Sequence, residues 1–228
     1  MTISPTSNPD GSDVPEAEPI VYVVDDDESM RNALRNLLRS VGLRVELFAG
    51  TSEFLDFEMP DAPSCLVLDV RLRGQSGLAF QNELANTDIA IPIIFMTGHG
   101  DIAMSVRAMK AGALDFLAKP FRDQDMLDAI DHAIEHDRQR RKASRGLGEL
   151  RSRYETLTLR ERQVMSYVIA GLLNKQIAAE VFLSEITVKI HRAQALKKMD
   201  AKSVADLVRK AEALGIEPAT SRSTKDRS

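Results

Sequence analysis

The amino-acid sequence predicts a doubly wound α/β domain with a five-stranded parallel sheet, followed by a small all-α domain. Short apolar runs alternate with amphipathic stretches from Ile20 to about residue 137, and only helical spacing follows residue 153. The net charge of −4 is also divided, because residues 1–135 sum to −13 and residues 136–228 sum to +9. Such a division is typical of a cation-binding module joined to a nucleic-acid-binding module.

Strands and helices alternate throughout the first domain. Apolar runs such as VYVV, CLVL and IPIIFM predict strands over 20–25, 43–48, 65–69, 91–96 and 113–118. Amphipathic spacing predicts helices over 29–41, 51–58, 77–86, 101–111 and 123–137. Parallel strands joined by helical crossovers place the helices on both faces of the sheet.

The second domain is predicted to contain four helices. Helical spacing indicates helices over 158–170, 175–181, 185–199 and 203–214. The predicted capping residues are Thr158 with Glu161, Asn174, Ser184, and Ser203 with Asp206. The last helix carries an apolar stripe that either completes the small core or pairs with a second copy of the chain.

Three further segments flank these domains. Residues 1–18 contain hardly any apolar residue, which predicts a disordered extension before a domain over 19–136. Residues 137–153 are strongly basic and contain two glycines, which predicts the end of a helix and then a flexible linker. A helical domain over 154–215 is followed by a polar, flexible tail over 216–228.

Composition excludes several classes of protein. No run of about 18 apolar residues exists, so no membrane span is expected. The first residues lack the basic and then apolar pattern of a secretory signal. Cys65 is the only cysteine, which rules out an intrachain disulfide and favours a buried core thiol in a cytoplasmic protein.

Polar residues close the apolar runs of the first domain. Asp25 and Asp26 follow the first run, Asp69 the third, Thr97 the fourth and Lys119 the fifth. Because the carboxyl ends of parallel strands open on one side of a sheet, we expect these side chains to meet there. Crowded carboxylates need a cation, and oxygen ligands suit Mg²⁺. The ammonium of Lys119 and the hydroxyl of Thr97 beside them are the groups that a transferred phosphoryl group needs. The sequence therefore predicts a phosphoryl-accepting site.

The motifs VVDDD, LVLDV, IIFMTGHGD and GALDFLAKPF, in this order, resemble the receiver domain of two-component response regulators over residues 19–136. The resemblance implies a flavodoxin-like fold and a phosphoryl group transferred from a histidine kinase to Asp69. It also implies that Asp26 and Asp69 bind Mg²⁺ directly, Asp25 through water, and Arg71 through its backbone carbonyl. Asp27 is expected to face solvent.

Further roles follow from the same resemblance. Lys119 and Thr97 are expected to contact the phosphoryl group, and Thr97 with Phe116 to form a conformational switch. The sequence departs from the family at Leu72–Arg73, where Met-Pro is common. We expect a looser loop there, and we hypothesise that Arg71 and His99 tune the lifetime of the phosphoryl group.

The segment LTLRERQVMSYVIAGLLNKQIAAEVFLSEITVKIHRAQALKKM resembles the LuxR-type helix-turn-helix of FixJ-like response regulators, over residues 156–214. Helix 175–181 would brace a reading helix that begins at Glu185 and enters the major groove of DNA. Spacing turns Val188, Ala195, Leu196 and Met199 inward and Ile186 outward. The predicted DNA contacts are Thr187, Lys189, Ile190, His191, Arg192, Ala193 and Lys197, and Lys198 is expected to bind phosphate.

We interpret the chain as a phosphorylation-switched transcription regulator rather than an enzyme. Haloacid-dehalogenase-type phosphatases need an aspartate two residues after the nucleophile, where this sequence has Arg71. A receiver that binds only proteins would leave residues 156–214 without a role. The expected partners are a sensor histidine kinase, promoter DNA, RNA polymerase and a second copy of the chain, with no membrane.

Overall fold

A computed structural model describes residues 17–98 and 102–220. The chain divides into two compact units, one ending at Arg141 and one beginning at Lys142. Residues 1–16, which make up most of the predicted N-terminal extension, lie outside the described residues, and so does His99.

The first unit contains a five-stranded parallel sheet, as predicted. Its strands are β1 (Ile20–Val24), β2 (Arg44–Phe48), β3 (Ser64–Asp69), β6 (Ile93–Thr97) and β7 (Asp115–Ala118). They lie in the order β2-β1-β3-β6-β7. A two-stranded hairpin, β4 (Arg71–Leu72) and β5 (Gln75–Ser76), follows β3 and was not predicted.

Helices cover both faces of the sheet. They are α1 (Glu28–Ser40), α2 (Thr51–Leu55), α3 (Gly77–Leu84), α4 (Ile102–Lys110) and the start of α5 (Asp123–Glu155). Successive residues of β1 enter different cores, because Tyr22 packs in a cluster with Phe54 and Phe80, whereas Val23 packs with Leu38 and Ile130. The doubly wound architecture is therefore confirmed.

Helix α5 overturns one prediction. Residues 137–153 were expected to form a flexible linker, but they lie within a single helix of 33 residues. Gly146 and Gly148 each cost about 1 kcal/mol relative to alanine inside a helix. The surrounding Arg, Lys, Ala, Leu, Gln and Glu residues favour helix, and side chains of the helix pack at both of its ends.

Near the end of the first unit, α5 is fastened by a buried carboxylate. Asp137 is fully buried, and its Oδ2 accepts a hydrogen bond of 3.0 Å from the backbone N–H of Ser64, the first residue of β3. Arg140 donates to Oδ1 at 2.7 Å, and Arg141 donates to Oδ2 at 2.6 Å. In the second unit, Leu150 of the same helix packs against the helical core.

The described part of the second unit, up to residue 220, contains four more helices, close to the predicted bounds. They are α6 (Leu159–Ile169), α7 (Asn174–Val181), α8 (Glu185–Lys198) and α9 (Val204–Ala213). The predicted caps at Thr158, Ser184 and Ser203 are present. Asn174 is not a cap but the first residue of α7, because the side chain of Gln176 already accepts from the backbone N–H of Leu173 at 2.8 Å.

The apolar stripe of α9 lies in the core of its own unit. Leu207 and Ala211 are fully buried there, which supports the first of the two predicted alternatives. The predicted flexible tail needs correction over its described part, because Ile216 packs against this core and Ala219 donates its N–H to the Ser166 carbonyl at 3.0 Å. Residues 221–228 lie outside the described residues.

Cys65 is fully buried in β3, and burial raises the pKa of its thiol, so it behaves as a core residue. Within the described residues, no helix combines the length and apolar character that crossing a membrane requires.

Candidate phosphoacceptor site and nucleic-acid interface

Three carboxylates meet at the carboxyl edge of the sheet. β1 and β3 are neighbours in parallel register, with Val24 opposite Leu68, so Asp25 and Asp69 lie at adjacent strand ends. Asp25, Asp26 and Asp69 can each present a carboxylate oxygen within 4.8 Å of the others. The topology therefore brings together the residues that the strand ends predicted.

Lys119 lies among these carboxylates. Its Nζ donates to Asp25 Oδ2 at 2.8 Å and to Asp69 Oδ2 at 3.1 Å. Its backbone N–H donates to the carbonyl of Thr97 at 2.6 Å, which ties it to the end of β6. Thr97 is fully buried at that strand end. Asp69 and Thr97 thus end the neighbouring strands β3 and β6, and Lys119 directly follows β7, the strand beside β6.

Burial and charge act against each other in this site. Desolvation raises the pKa of the Asp25 carboxyl, although hydrogen bonds from Lys119 and the Asp27 N–H favour its charged form. Desolvation alone would lower the pKa of Lys119, but its contacts with Asp25 and Asp69 hold that pKa above its usual value. The ammonium group therefore keeps its charge at neutral pH.

The acceptor loop holds Asp69 in place. The backbone N–H of Arg71 donates to Asp69 Oδ1 at 3.2 Å, and the N–H of Val70 donates to the carbonyl of Met96 at 2.9 Å. The N–H of Gly77, at the start of α3, donates to the carbonyl of Val70 at 2.9 Å. The loop was expected to be loose without a proline, but the β4–β5 hairpin orders it.

Arg73 makes a contact that sequence reasoning missed. Its Nε donates to Asp26 Oδ2 at 2.9 Å. The sequence identified Arg73 only as part of the Leu72–Arg73 departure from the family. The position of its side chain depends on the turn between β4 and β5, and the sequence did not predict that turn.

The donor set fits a magnesium ion. Three carboxylates within reach of one another offer hard oxygen ligands, and the Arg71 backbone lies beside Asp69. A divalent cation would offset the repulsion that remains among the three carboxylates despite Lys119 and Arg73. Asp27 is exposed, as predicted, and its side chain caps α1 by accepting from the Ser29 N–H.

Phe116, which was predicted to form the switch together with Thr97, lies on β7. In the sheet register it is opposite Phe95, and the centroids of the two rings are 6.5 Å apart. Phe116 is partly buried, one position before the residue that pairs with Met96. Its ring is therefore adjacent to the core and retains some access to solvent.

Helix α8 separates an inward from an outward face, as its spacing predicted. Val188, Ala195 and Met199 are fully buried, and Leu196 packs against the same core. The most exposed apolar residue of the outward face is Ile186, at 74%, followed by Ile190 at 55%. The other exposed members of this face from the predicted set are Lys189, Ala193 and Lys197. The remaining predicted contacts, Thr187, His191 and Arg192, are partly buried.

Two cations of α8 have protein partners. Lys198, which was expected to bind phosphate, donates to Glu161 Oε2 at 2.6 Å and to the Thr156 carbonyl at 3.1 Å. Burial would raise the pKa of Glu161, but Lys198 and the Thr158 N–H lower it below its usual value. Arg192 donates to Asn174 Oδ1 at 2.9 Å, which joins α8 to the start of α7.

Comparisons with known proteins match this architecture. The response regulator receiver domain family matches residues 21–131, and the LuxR family of bacterial regulatory proteins matches residues 155–211. Nodulation protein W of Bradyrhizobium diazoefficiens is 61% identical over 197 residues, which are 86% of this chain and 87% of that protein. The chain is a two-component response regulator.

Matches to two other proteins cover nearly the whole length of those proteins. The transcriptional regulatory protein FixJ of Rhizobium meliloti is 42% identical over 87% of this response regulator and 97% of FixJ. The solved structure of response regulator StyR gives a TM-score of 0.77 at 48% identity, over 86% of this chain and 99% of StyR. This response regulator therefore combines a receiver with a LuxR-type DNA-binding domain and controls transcription.

Proposed function

We propose that this response regulator accepts a phosphoryl group on Asp69 from a sensor histidine kinase, with Mg²⁺ held by the acidic cluster of Asp25, Asp26 and Asp69. Phosphorylation then switches DNA binding by α8. The observation that carries the proposal is the ammonium of Lys119, which lies 2.8 Å from Asp25 and 3.1 Å from Asp69. We assign the receiver role to residues 19–136 and the DNA-binding role to residues 154–215.

The chemistry needs little covalent work from the protein. A carboxylate oxygen of Asp69 attacks the phosphorus of a phosphohistidine, and the electron pair of the broken P–N bond returns to the imidazole. Lys119 offers a compact positive charge to the equatorial oxygens. Mg²⁺ bound by Asp26 and Asp69, by Asp25 through water and by the Arg71 carbonyl would supply further neutralisation of these oxygens.

The switch begins at Thr97. Its hydroxyl moves to donate to the new phosphoryl group, and Phe116 turns into the space that Thr97 leaves. Both residues lie on neighbouring strands, β6 and β7, and Phe116 already contacts the core through Phe95. The rearranged surface around α4 and β7 promotes a homodimer of receivers.

The DNA-binding role is assigned to the outward face of α8. Ile186 and Ile190 expose apolar surface that thymine methyl groups in a major groove would cover. Lys197 has an exposed ammonium suited to a phosphate, and Lys189 suits a base or a phosphate. A homodimer would read two half-sites about one helical turn apart. We place this activity in the cytoplasm and expect RNA polymerase as the next partner.

The phosphoacceptor is tested by labelling the full-length protein. Incubation with acetyl phosphate and Mg²⁺, followed by borohydride reduction and tandem mass spectrometry, is expected to mark Asp69, because reduction converts an acyl phosphate to an alcohol. Addition of EDTA is expected to suppress the modification. Labelling of a different side chain, or of none, would overturn the assignment.

Two residues of α8 are expected to differ in what they contribute to DNA binding. Ile190→Ala should reduce discrimination between specific and random duplexes by about 1 kcal/mol, because a base contact is lost. Lys197→Ala should instead lower the slope of log affinity against log salt by about one, because one phosphate contact is lost. Fluorescence anisotropy on duplexes selected from a random pool measures both.

The matched control is Lys202→Ala, which removes an exposed lysine outside α8. It is expected to keep the parental salt slope and the parental discrimination. A loss of discrimination in Lys197→Ala without a change of slope would contradict the division of roles.

A further inference from the structure

Two cationic residues, Lys119 and Arg73, contact the carboxylates of the acidic cluster. Lys119 pairs with Asp25 and Asp69, whereas Arg73 pairs with Asp26 through Nε at 2.9 Å. The side chain of Arg73 is 89% exposed and that of Asp26 is 24% exposed. Each of the three carboxylates is therefore contacted by a cation of the protein itself.

The hairpin after β3 positions Arg73. Leu72 pairs with Gln75, so Arg73 and Gly74 form the two-residue turn, and Gly74 takes a positive φ of +86°. Glycine at the second turn position and a residue with negative φ at the first are typical of a type II turn, which accepts proline at the first position. Arginine fits the same backbone and adds a cation that proline would not provide.

We propose that Arg73 competes with Mg²⁺ for Asp26 and thereby sets the magnesium affinity of the receiver. The inference rests on the proposed magnesium site. Mg²⁺ binds carboxylate oxygens at short distances and in a demanding geometry, so the guanidinium must withdraw from Oδ2 or share Asp26 with the ion. The positive charge of Arg73 also repels the incoming cation.

Withdrawal of Arg73 is inexpensive. Exposed ion pairs contribute little, since water screens the charges and two long side chains lose freedom. Arg73 therefore acts as a modest competitor, which weakens magnesium binding without preventing it. The free Mg²⁺ concentration at which Asp69 becomes competent is raised by the same factor.

Isothermal titration of MgCl₂ into the full-length protein tests the proposal. Arg73→Gln is expected to bind Mg²⁺ about three- to tenfold more tightly than the parent, and this difference should shrink as ionic strength rises. Arg73→Lys keeps the charge and should remain within about twofold of the parent. An affinity of Arg73→Gln equal to or weaker than that of the parent would overturn the competition.

Arg44→Gln is the matched control. Arg44 begins β2, at the opposite end of the sheet from the cluster, and forms its own exposed pair with Glu46 at 3.0 Å. Its replacement changes the net charge by the same amount and is expected to leave the magnesium affinity unchanged. An equal gain in Arg44→Gln would assign the effect to overall charge and overturn the role of Arg73.

A double-mutant cycle with Asp26→Asn tests the contact itself. In that background, Arg73→Gln should no longer tighten magnesium binding, and an undiminished gain would contradict competition at Asp26. Failure of the proposed function is distinguishable. If the parent binds no Mg²⁺ and takes no phosphoryl group on Asp69, both proposals fail. If the parent binds Mg²⁺ and is phosphorylated on Asp69, but Arg73→Gln has the parental magnesium affinity, only the competition by Arg73 fails.

Discussion

Asparagine at position 69 is expected to abolish phosphoryl acceptance and, with it, the response of DNA binding to a phosphodonor. The amide has nearly the shape of the carboxylate but lacks the anionic oxygen that attacks phosphorus. Lys119 retains its 2.8 Å contact with Asp25, and one charge leaves a crowded cluster, so the fold should be at least as stable. Phosphate-affinity electrophoresis and anisotropy on selected DNA measure the two losses.

Asp27→Asn supplies the control for this variant. Asp27 is exposed, two residues after Asp25, and caps α1, a role that asparagine performs equally well. It should be phosphorylated at the parental rate and bind DNA as the parent does. DNA binding by Asp69→Asn that still responds to acetyl phosphate would show that another group is the switch.

Strand ends were predictable because they follow from topology. Asp25, Asp69 and Lys119 each close an apolar run, and a parallel sheet leaves no other place for the ends of neighbouring strands to meet. The contact between Arg73 and Asp26 was not predictable in the same way. It depends on the two-residue turn of the β4–β5 hairpin and on the conformation of the Arg73 side chain.

Helix α5 shows why a composition rule failed. Two glycines and a run of charged residues resemble a linker when each is considered alone. The cost of the glycines is about 2 kcal/mol in total. Asp137, at the start of this segment, accepts from Ser64, which lies 73 positions earlier, and Leu150, near its end, packs against the helical core of the second unit. Periodicity within the segment could not reveal these partners.

The lysines of α8 illustrate the same limit. Helical spacing separated the buried face from the exposed one, but it assigned Lys198 to phosphate binding. Its partner, Glu161, is a capping residue 37 positions earlier in the chain, and the two residues meet only when α6 packs against α8. Exposure can be read from the period of a helix, whereas ion pairing depends on tertiary packing.

Gly77→Ala is expected to destabilise the receiver by about 2 kcal/mol and to impair phosphorylation, although alanine favours helices. A Cβ at position 77 would lie 2.4 Å from the backbone carbonyl oxygen of Asp69 and 3.1 Å from the Cα of Val70. The loop cannot simply move aside, because the backbone of Val70 is hydrogen-bonded both to Met96 and to residue 77 itself. Denaturant unfolding and acetyl phosphate labelling measure the two effects.

The opposing contributions make this substitution informative. In a helix interior, propensity alone predicts a gain of about 1 kcal/mol, which Gly146→Ala in α5 should show, since nothing outside its own helix lies within 4 Å of the added Cβ. Gly77 is the first residue of α3, so its propensity gain is at most that large. Steric overlap with a backbone atom should exceed that gain at Gly77, where no flexible side chain is available to yield. Since the displaced atoms belong to Asp69, stability and phosphoryl acceptance should fall together. A variant as stable as the parent but poorly labelled would show that the loop shifts at no cost, and would contradict the close packing of α3 against the acceptor.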